Sequence, residues 1–296
     1  MAKEGCRLFR DPLPTGRKAP WTLPEGRYNP VVTADGRRWR DYEDAAEAVA
    51  PAPPALVPEL VPEPVAEPVP AVASASEGEP AEGGGQDWFD RADRPPPLEE
   101  ARPYGVPGGL ARPDPQTQQD IRGAVPLCAS GRPRRFPDPR GTWIRMINAE
   151  GPVEDPFRAT NAMDCALAVV STWHGEPAVA APRQPEYDRA GRPVLSGEEK
   201  GVARAEHWLG HSFGYVGQGR RAYAQVAQRL LAGGHGSAAV LVTRWPGGGA
   251  HAWNAVNSCG EVIWIDAQRG HMAVEPQYEA VTGVFCVVID REGRGR

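Results

Sequence analysis

The stretch that decides the fold is residues 237–266, which read SAAVLVTRWPGGGAHAWNAVNSCGEVIWID. A mostly apolar run over 237–245 is followed by a loop rich in glycine and then by two runs, 251–257 and 261–266, in which apolar and polar residues alternate. Alternation with a period of two is typical of half-buried strands, and the short polar break between the two runs predicts a hairpin. A further apolar run at 284–290 adds a strand, so the C-terminal third predicts an antiparallel sheet.

Helical patterns precede these strands. Apolar residues recur at helical spacing after Asn161, and comparable patterns cover 202–209 and 222–232. Asn161 is a favourable N-cap, and Asp164 stands where the acid of a capping box would reach back to it. Helices followed by an antiparallel sheet predict an α+β fold.

The first half of the chain has a different composition. Residues 1–45 are polar and rich in arginine, with too few apolar side chains for a core, so we expect a weakly ordered segment. Residues 46–141 are rich in proline, alanine and glutamate, a composition that favours an extended, solvated and disordered linker. Residues 142–291 then form the folded domain, which is long enough to bury a core.

The overall composition narrows the classes of function. A net charge of −5 gives no sign of nucleic-acid binding. No apolar run is long enough for a membrane span, and no apolar signal segment follows the first residues. Basic residues are nearly all arginine, and with abundant alanine, glycine and proline this suggests a GC-rich bacterial genome. We therefore expect synthesis in a bacterial cytoplasm.

Metal and cofactor sites are not expected. The five cysteines show no CxxC spacing, which argues against a zinc ribbon, and their odd number argues against a disulfide framework. His207 and His211 have the i, i+4 spacing of metal ligands on a helix, but Trp208 stands where an HExxH motif has glutamate. Two histidines on a helix surface are the simpler interpretation.

Cys165, His251 and Asp266 have the chemistry and the chain order of a cysteine-dependent triad. Cys165 opens a helical pattern, where the positive end of the helix dipole lowers the pKa of a thiol. His251 and Asp266 stand on the two arms of the predicted hairpin; the imidazole would take the thiol proton and the carboxylate would orient the ring. Taken alone, a cysteine in a helix is commonly a buried apolar residue.

The register of the hairpin decides whether the imidazole meets the carboxylate. If Ser258-Cys259 forms a two-residue turn, His251 lies directly opposite Asp266, and Trp253 stacks on Trp264. A slip of two residues would leave His251 and Asp266 diagonal on one face, whereas a slip of one would separate them.

Two further residues are candidates for the substrate or oxyanion site. Gln268 points the same way as Asp266 in an extended chain, and would either line the site or lie exposed. Asn161, one turn before Cys165, would donate a hydrogen bond to an oxyanion or serve only as a helix cap.

Several motifs together resemble the papain-fold toxins of bacterial polymorphic toxin systems, of the glutamine-deamidase type. The resemblance covers about residues 143–290. It rests on Trp-Ile-Arg-Met-Ile-Asn at 143–148, Arg-Ala-Thr-Asn at 158–161 before Cys-Ala-Leu-Ala at 165–168, Gly-His-Gly-Ser-Ala-Ala-Val at 234–240, Gly-Gly-Gly-Ala-His-Ala-Trp-Asn-Ala-Val-Asn at 247–257, and Trp-Ile-Asp-Ala-Gln at 264–268. Family members often have Asn-Cys-x-x-Cys at the helix start, whereas this chain has Ala162 at the first of these cysteines.

The resemblance implies a papain-like fold and hydrolysis of a glutamine side-chain amide in a target protein. It assigns Cys165 as nucleophile, His251 as general base and acid, and Asp266 as the residue that orients the ring. It also implies a neutralising immunity protein as a partner, and export or delivery to another cell by a non-Sec route. Two alternatives remain open from the residues: a cysteine protease on the same fold, and a non-catalytic binding module.

Overall fold

One antiparallel sheet with helices on both faces forms the centre of the fold. The computed structural model describes residues 87–149, 151 and 155–296. Its α-helices are α1 (Pro115–Ala124), α2 (Trp143–Met146), α3 (Ala162–Trp173), α4 (Gly201–Leu209) and α5 (Gly219–Gly233). Its strands are β1 (Gly214–Gly217), β2 (Ala238–Arg244), β3 (Ala250–Ser258), β4 (Glu261–Asp266), β5 (His271–Ala273) and β6 (Gly283–Ile289), and short 3-10 helices cover Trp88–Asp90 and Pro156–Arg158.

The sheet has the strand order β1-β6-β2-β3-β4-β5, and every neighbouring pair is antiparallel. The α+β class and the four strands predicted from the sequence are therefore confirmed. The short strands β1 and β5 at the two edges carry too little alternation to be predicted.

Side chains alternate across the sheet, so each face has a core of its own. On one face, Ala252, Val256 and Ile265 belong to a cluster that includes the apolar residues of α1 to α4. On the other face, Trp253 and Trp264 pack in a second cluster with the apolar stripe of α5. Helix α3 is buried along nearly its whole length, because it lies between the sheet and the other helices.

The prediction of a disordered linker over 46–141 is wrong for residues 87–141. Trp88, Phe89, Leu98 and Ile121 are buried in the same core cluster as α3. The prolines of this segment favour turns and the first positions of short helices, as in α1, whose first residue is Pro115 with Asp114 as N-cap. Sparse apolar residues without periodicity can still anchor irregular chain to a neighbouring core. The rest of the predicted linker and residues 1–45 lie outside the described residues.

The hairpin between β3 and β4 turns one residue later than predicted. Ser258 pairs with Glu261, which makes Cys259-Gly260 the two-residue turn. Both turn residues have positive φ, +53° and +90°, as turns that match the twist of a hairpin require. Glycine adopts this geometry without strain at the second position, which is why the turn forms there rather than at Ser258-Cys259.

The later turn shifts the pairing register by two residues. Asn254 pairs with Ile265 and Ala255 with Trp264, so His251 and Asp266 are diagonal rather than directly opposite. A shift of two preserves the face on which each side chain lies. Trp253 therefore still contacts Trp264, with ring centroids 5.5 Å apart.

In the part of the chain that the structure describes, every helix is too short or too polar to span a bilayer.

Truncation of Ile121 tests whether residues 87–141 belong to the folded domain. Ile121 is fully buried, so we expect Ile121→Ala to lower the free energy of unfolding by about 2–5 kcal/mol. Leu127→Ala is the matched control, because Leu127 is 62% exposed and its truncation should change stability by less than about 0.5 kcal/mol. Urea unfolding followed by tryptophan fluorescence measures both. If both substitutions changed the free energy of unfolding by the same small amount, residues 87–141 would be a linker outside the folded domain.

Candidate active site

Cys165 is buried in the first turn and a half of α3, with 1% of its surface exposed. Its amide donates to the carbonyl of Asn161 (3.0 Å), as expected for the fourth residue of a helix. Its thiol donates to Asn161 Oδ1, with Sγ and Oδ1 3.4 Å apart. The hydrogen of the thiol is therefore held by the residue that precedes the helix.

Three carboxamides, those of Asn148, Asn161 and Gln268, form a hydrogen-bonded cluster beside the thiol. Asn161 Nδ2 donates to Asn148 Oδ1 (2.8 Å) and to the carbonyl of Ala181 (3.0 Å). A carbonyl can only accept, so the Ala181 contact fixes which end of Asn161 is nitrogen. Asn161 Oδ1 consequently faces the thiol and also accepts from Gln268 Nε2 (3.1 Å).

Asn148 is oriented by the same argument. Its Nδ2 donates to the carbonyls of Arg158 (3.1 Å) and Gln268 (2.9 Å), which leaves its oxygen for Asn161. Both N–H groups of Asn161 are engaged in this arrangement, so donation to an oxyanion would require one of these hydrogen bonds to open, and that role stays a prediction. Asn161 stands at the N-cap position but makes no capping hydrogen bond with its side chain.

Asp164 anchors the first turn of α3 instead of completing a capping box. Its carboxylate is fully buried and pairs with Arg102 (2.8 Å) and Arg204 (3.0 Å), and it accepts from the amide of Ala181 (2.7 Å). Burial alone would raise the pKa of Asp164, but the two guanidinium groups outweigh that effect and lower it. Asp164 thus ties the helix start to the segment 87–141 through Arg102, to α4 through Arg204 and to the loop that contains Ala181.

His251 and Asp266 form the hydrogen-bonded pair that the hairpin predicts. His251 Nε2 lies 3.0 Å from Asp266 Oδ2, and both side chains are almost fully buried. The hydroxyl of Tyr278 donates to the same carboxylate oxygen, and its ring packs edge-on against the imidazole at 5.5 Å. Arg269 Nε lies 3.6 Å from Asp266 Oδ2.

The remaining ring nitrogen of His251 has no hydrogen-bond partner among the described residues, although it is buried. An ionised carboxylate only accepts, so Nε2 carries the hydrogen toward Asp266 and Nδ1 of the neutral ring carries a lone pair. An orphaned, oriented lone pair of this kind is what a general base requires.

The thiol and the imidazole belong to two separate groups in this arrangement. His251 shares the face of Trp253 and Tyr278, which pack in the α5-side cluster, whereas Cys165 belongs to the cluster on the α3 side. Gln268 connects the two groups, because it follows Asp266 by two residues and donates to Asn161, the residue that holds the thiol. No hydrogen bond joins Cys165 to His251 among the residues described.

The charges of the site favour an ionised Asp266 and a protonated Cys165. Burial would raise the pKa of Asp266, but attraction to the His251 ring when it is protonated, together with hydrogen bonds from His251 and Tyr278, lowers it to about 2. Burial, followed by the negative charges of Asp164 and Asp266, raises the pKa of Cys165 well above its ordinary value. The lowered thiol pKa expected from the helix dipole is therefore wrong here, since desolvation and two carboxylates dominate.

Sequence reasoning assigned no role to Tyr278 or Asn148. Asn148 ends the Trp-Ile-Arg-Met-Ile-Asn motif, so its presence in that motif was a usable signal. Tyr278 follows β5 in an irregular stretch, and only the folded chain brings it to Asp266. No pattern in the sequence indicates that contact.

The two histidines with metal-ligand spacing do not share a helix face. Helix α4 ends at Leu209 and Gly210 adopts a left-handed conformation, so His211 lies beyond the helix. Its Nε2 instead lies 2.9 Å from the carbonyl of Gly293.

Residues 160–271 match the family model described as papain fold toxin 1, glutamine deamidase. The resemblance seen in the sequence is thus confirmed over this segment, which contains Cys165, His251 and Asp266 together with Asn161 and Gln268. No curated protein and no solved structure matches the chain.

Removal of the Tyr278 hydroxyl tests the carboxylate anchor. We expect Tyr278→Phe to lower the free energy of unfolding at neutral pH by about 1.5–3 kcal/mol, the range for hydrogen bonds to charged groups. Because the pKa of Asp266 is depressed to about 2, its stabilisation is present above the unfolded-state value of about 4 and is lost as the pH falls toward 2. The difference between wild type and variant should therefore narrow between pH 4 and pH 2.

Tyr223→Phe is the matched control for this measurement. Tyr223 packs on Trp253 and Trp264 on the same face, but its buried hydroxyl has no hydrogen-bond partner among the described residues. Its removal should be neutral or stabilising. Urea unfolding at several pH values measures the free energy of unfolding of both variants. An equal decrease in the two would contradict a stabilising hydrogen bond from Tyr278 to Asp266.

The pH dependence of alkylation tests the protonation state of Cys165. A thiol whose pKa is raised gains thiolate in proportion to hydroxide, so its alkylation rate should rise about tenfold per pH unit between pH 7 and pH 9. Peptide mass spectrometry after timed exposure to iodoacetamide gives the rate at Cys165. A rate that is flat over this range would instead indicate a preformed thiolate–imidazolium pair.

Proposed function

We propose that this protein is a cysteine-dependent amidohydrolase that converts a glutamine side chain of a target protein to glutamate and ammonia, and that it acts as a toxin or effector. The observation that carries the proposal is the buried His251–Asp266 pair with an unpartnered Nδ1, inside a segment that matches a glutamine-deamidase family. The papain-like arrangement of the domain belongs to the same proposal.

The proposed reaction begins when the thiol leaves Asn161 Oδ1 and its proton passes to His251 Nδ1. The thiolate then attacks the carbon of the glutamine carboxamide, and the positive end of α3 stabilises the oxyanion that develops beside it. His251 returns the proton to the departing ammonia, and water hydrolyses the thioester. Asp266 holds the ring tautomer throughout.

The resting arrangement explains why the thiol and the imidazole are not hydrogen-bonded. The thiol proton is held by Asn161, and the pKa of Cys165 is raised by burial and by Asp164 and Asp266. Free enzymes commonly hold catalytic groups at longer distances than the complex with substrate. We propose that substrate entry brings the thiol to Nδ1.

Incubation with candidate target proteins tests the activity. We expect a unit mass increase at a glutamine, with release of ammonia, and loss of both in Cys165→Ala. Asp266→Asn should also reduce the rate by several orders of magnitude, because the imidazole loses its orienting carboxylate. Peptide mass spectrometry and an ammonia assay give the two readouts.

Cys259→Ala serves as the control, because Cys259 is exposed in the β3–β4 turn and away from the pair. It should retain full activity. Cleaved peptides in place of unit mass shifts would identify a protease, and unaltered activity in Cys165→Ala would overturn the nucleophile assignment. Target binding without any change in mass would favour a non-catalytic module.

A further inference from the structure

Asn161 Oδ1 is a hydrogen-bond acceptor held in a fixed direction beside the thiol. The Asn161 side chain is fully buried, and its nitrogen is engaged by Asn148 Oδ1 and by the carbonyl of Ala181. The oxygen therefore cannot exchange places with the nitrogen without losing both contacts. It accepts two hydrogens, one from the Cys165 thiol and one from Gln268 Nε2.

Gln268 presents to this oxygen the same chemical group that a glutamine deamidase acts on. Its primary carboxamide donates to Asn161 Oδ1 at 3.1 Å, and the side chain is 6% exposed. The backbone carbonyl of Gln268 is fixed separately by Asn148 Nδ2, so the side chain can turn away while the main chain stays in place. A substrate carboxamide could then make the same contact at the same oxygen.

We propose that Asn161 Oδ1 determines specificity by accepting an N–H of the substrate's primary carboxamide, and that Gln268 occupies this acceptor until substrate displaces it. The identity of the substrate group rests on the proposed function. A primary amide nitrogen carries two hydrogens and no further chain, so it fits against a fully buried acceptor. The nitrogen of a peptide bond would have to carry the next residue into the same buried space.

When the substrate carboxamide replaces that of Gln268, Asn161 Oδ1 keeps the same number of hydrogen bonds. If Gln268 left without replacement, the buried oxygen would keep the thiol hydrogen bond but lose its second one, which is unfavourable. An incoming primary amide restores the contact, whereas an ester or a tertiary amide does not. The acceptor therefore discriminates by hydrogen bonding, which rejects analogues without the N–H more strongly than an apolar pocket can.

Alkylation by two matched reagents tests the inference without turnover. 2-Iodoacetamide has a primary amide, and N,N-dimethyl-2-iodoacetamide carries the same electrophile without an N–H. For each cysteine we take the alkylation rate with 2-iodoacetamide divided by the rate with N,N-dimethyl-2-iodoacetamide. In Gln268→Ala we expect this ratio at Cys165 to exceed the ratio at the exposed Cys259 by about 2-fold to 10-fold, the factor for one hydrogen bond. In wild type the excess should be smaller, because Gln268 occupies the acceptor.

Two further variants keep the test decisive. Gln268→Met preserves the volume of the side chain without the amide and should behave as Gln268→Ala does. Asn161→Leu removes the acceptor and, if its near-ultraviolet circular dichroism is native, should bring the ratio at Cys165 back to that at Cys259. Equal ratios at the two cysteines in both Gln268 variants would overturn the inference.

The result is separable from that of the deamidation experiment. Alkylation needs neither a target protein nor the histidine, so a raised ratio in a protein that deamidates nothing would support the acceptor and contradict the proposed function. Deamidation together with equal alkylation ratios at the two cysteines would support the proposed function and contradict the role of Asn161 Oδ1.

Discussion

The register of the β3–β4 hairpin is the constraint on which the site depends. Two positive φ values at Cys259-Gly260 close the turn, and the pairing of Ser258 with Glu261 then sets every contact between the strands. His251 and Asp266 lie on one face of the sheet because His251 is two residues, an even number, from the position that pairs with Asp266. A shift of a single residue would turn one of them into the opposite core. The chemistry of the site is thus decided at an exposed turn that lies several residues along the chain from both His251 and Asp266.

A second anchor holds the cysteine helix at the end of the sheet. Asp164 carries a buried charge that pairs with Arg102 through both carboxylate oxygens and with Arg204 through one, and the oxygen away from Arg204 also accepts from the amide of Ala181. A buried ion pair of this kind contributes little net stability by itself, since desolvation opposes the attraction. Its effect is positional, because removal of any partner leaves an uncompensated charge. The segment 87–141, which supplies Arg102, therefore helps to hold the site in place.

The His251–Asp266 pair has the hydrogen bonding that catalysis would need, whereas Cys165 does not. His251 and Asp266 are already paired, with the tautomer set and one nitrogen open. Cys165 is protonated, buried and bonded to Asn161. A protonated thiol resists oxidation and alkylation better than a thiolate does. Burial and the charges of Asp164 and Asp266 keep the thiol protonated, and Asn161 of the carboxamide cluster accepts its hydrogen.

The sequence by itself determined the α+β class, the central strands, the helix that begins near Cys165 and the pairing of His251 with Asp266. The helices and strands follow from local periodicity. The pairing follows from the sheet face of each side chain, which does not change when the predicted register is wrong by two residues. Only the tertiary structure decided the rest: the packing of residues 87–141, the Tyr278 contact, the acceptor role of Asn161 and the raised pKa of Cys165. Each depends on groups distant in the chain, since burial and neighbouring charges set a pKa and a backbone carbonyl from Ala181 sets an amide's direction. A sequence pattern records which face a residue occupies, but the folded chain decides what it meets there.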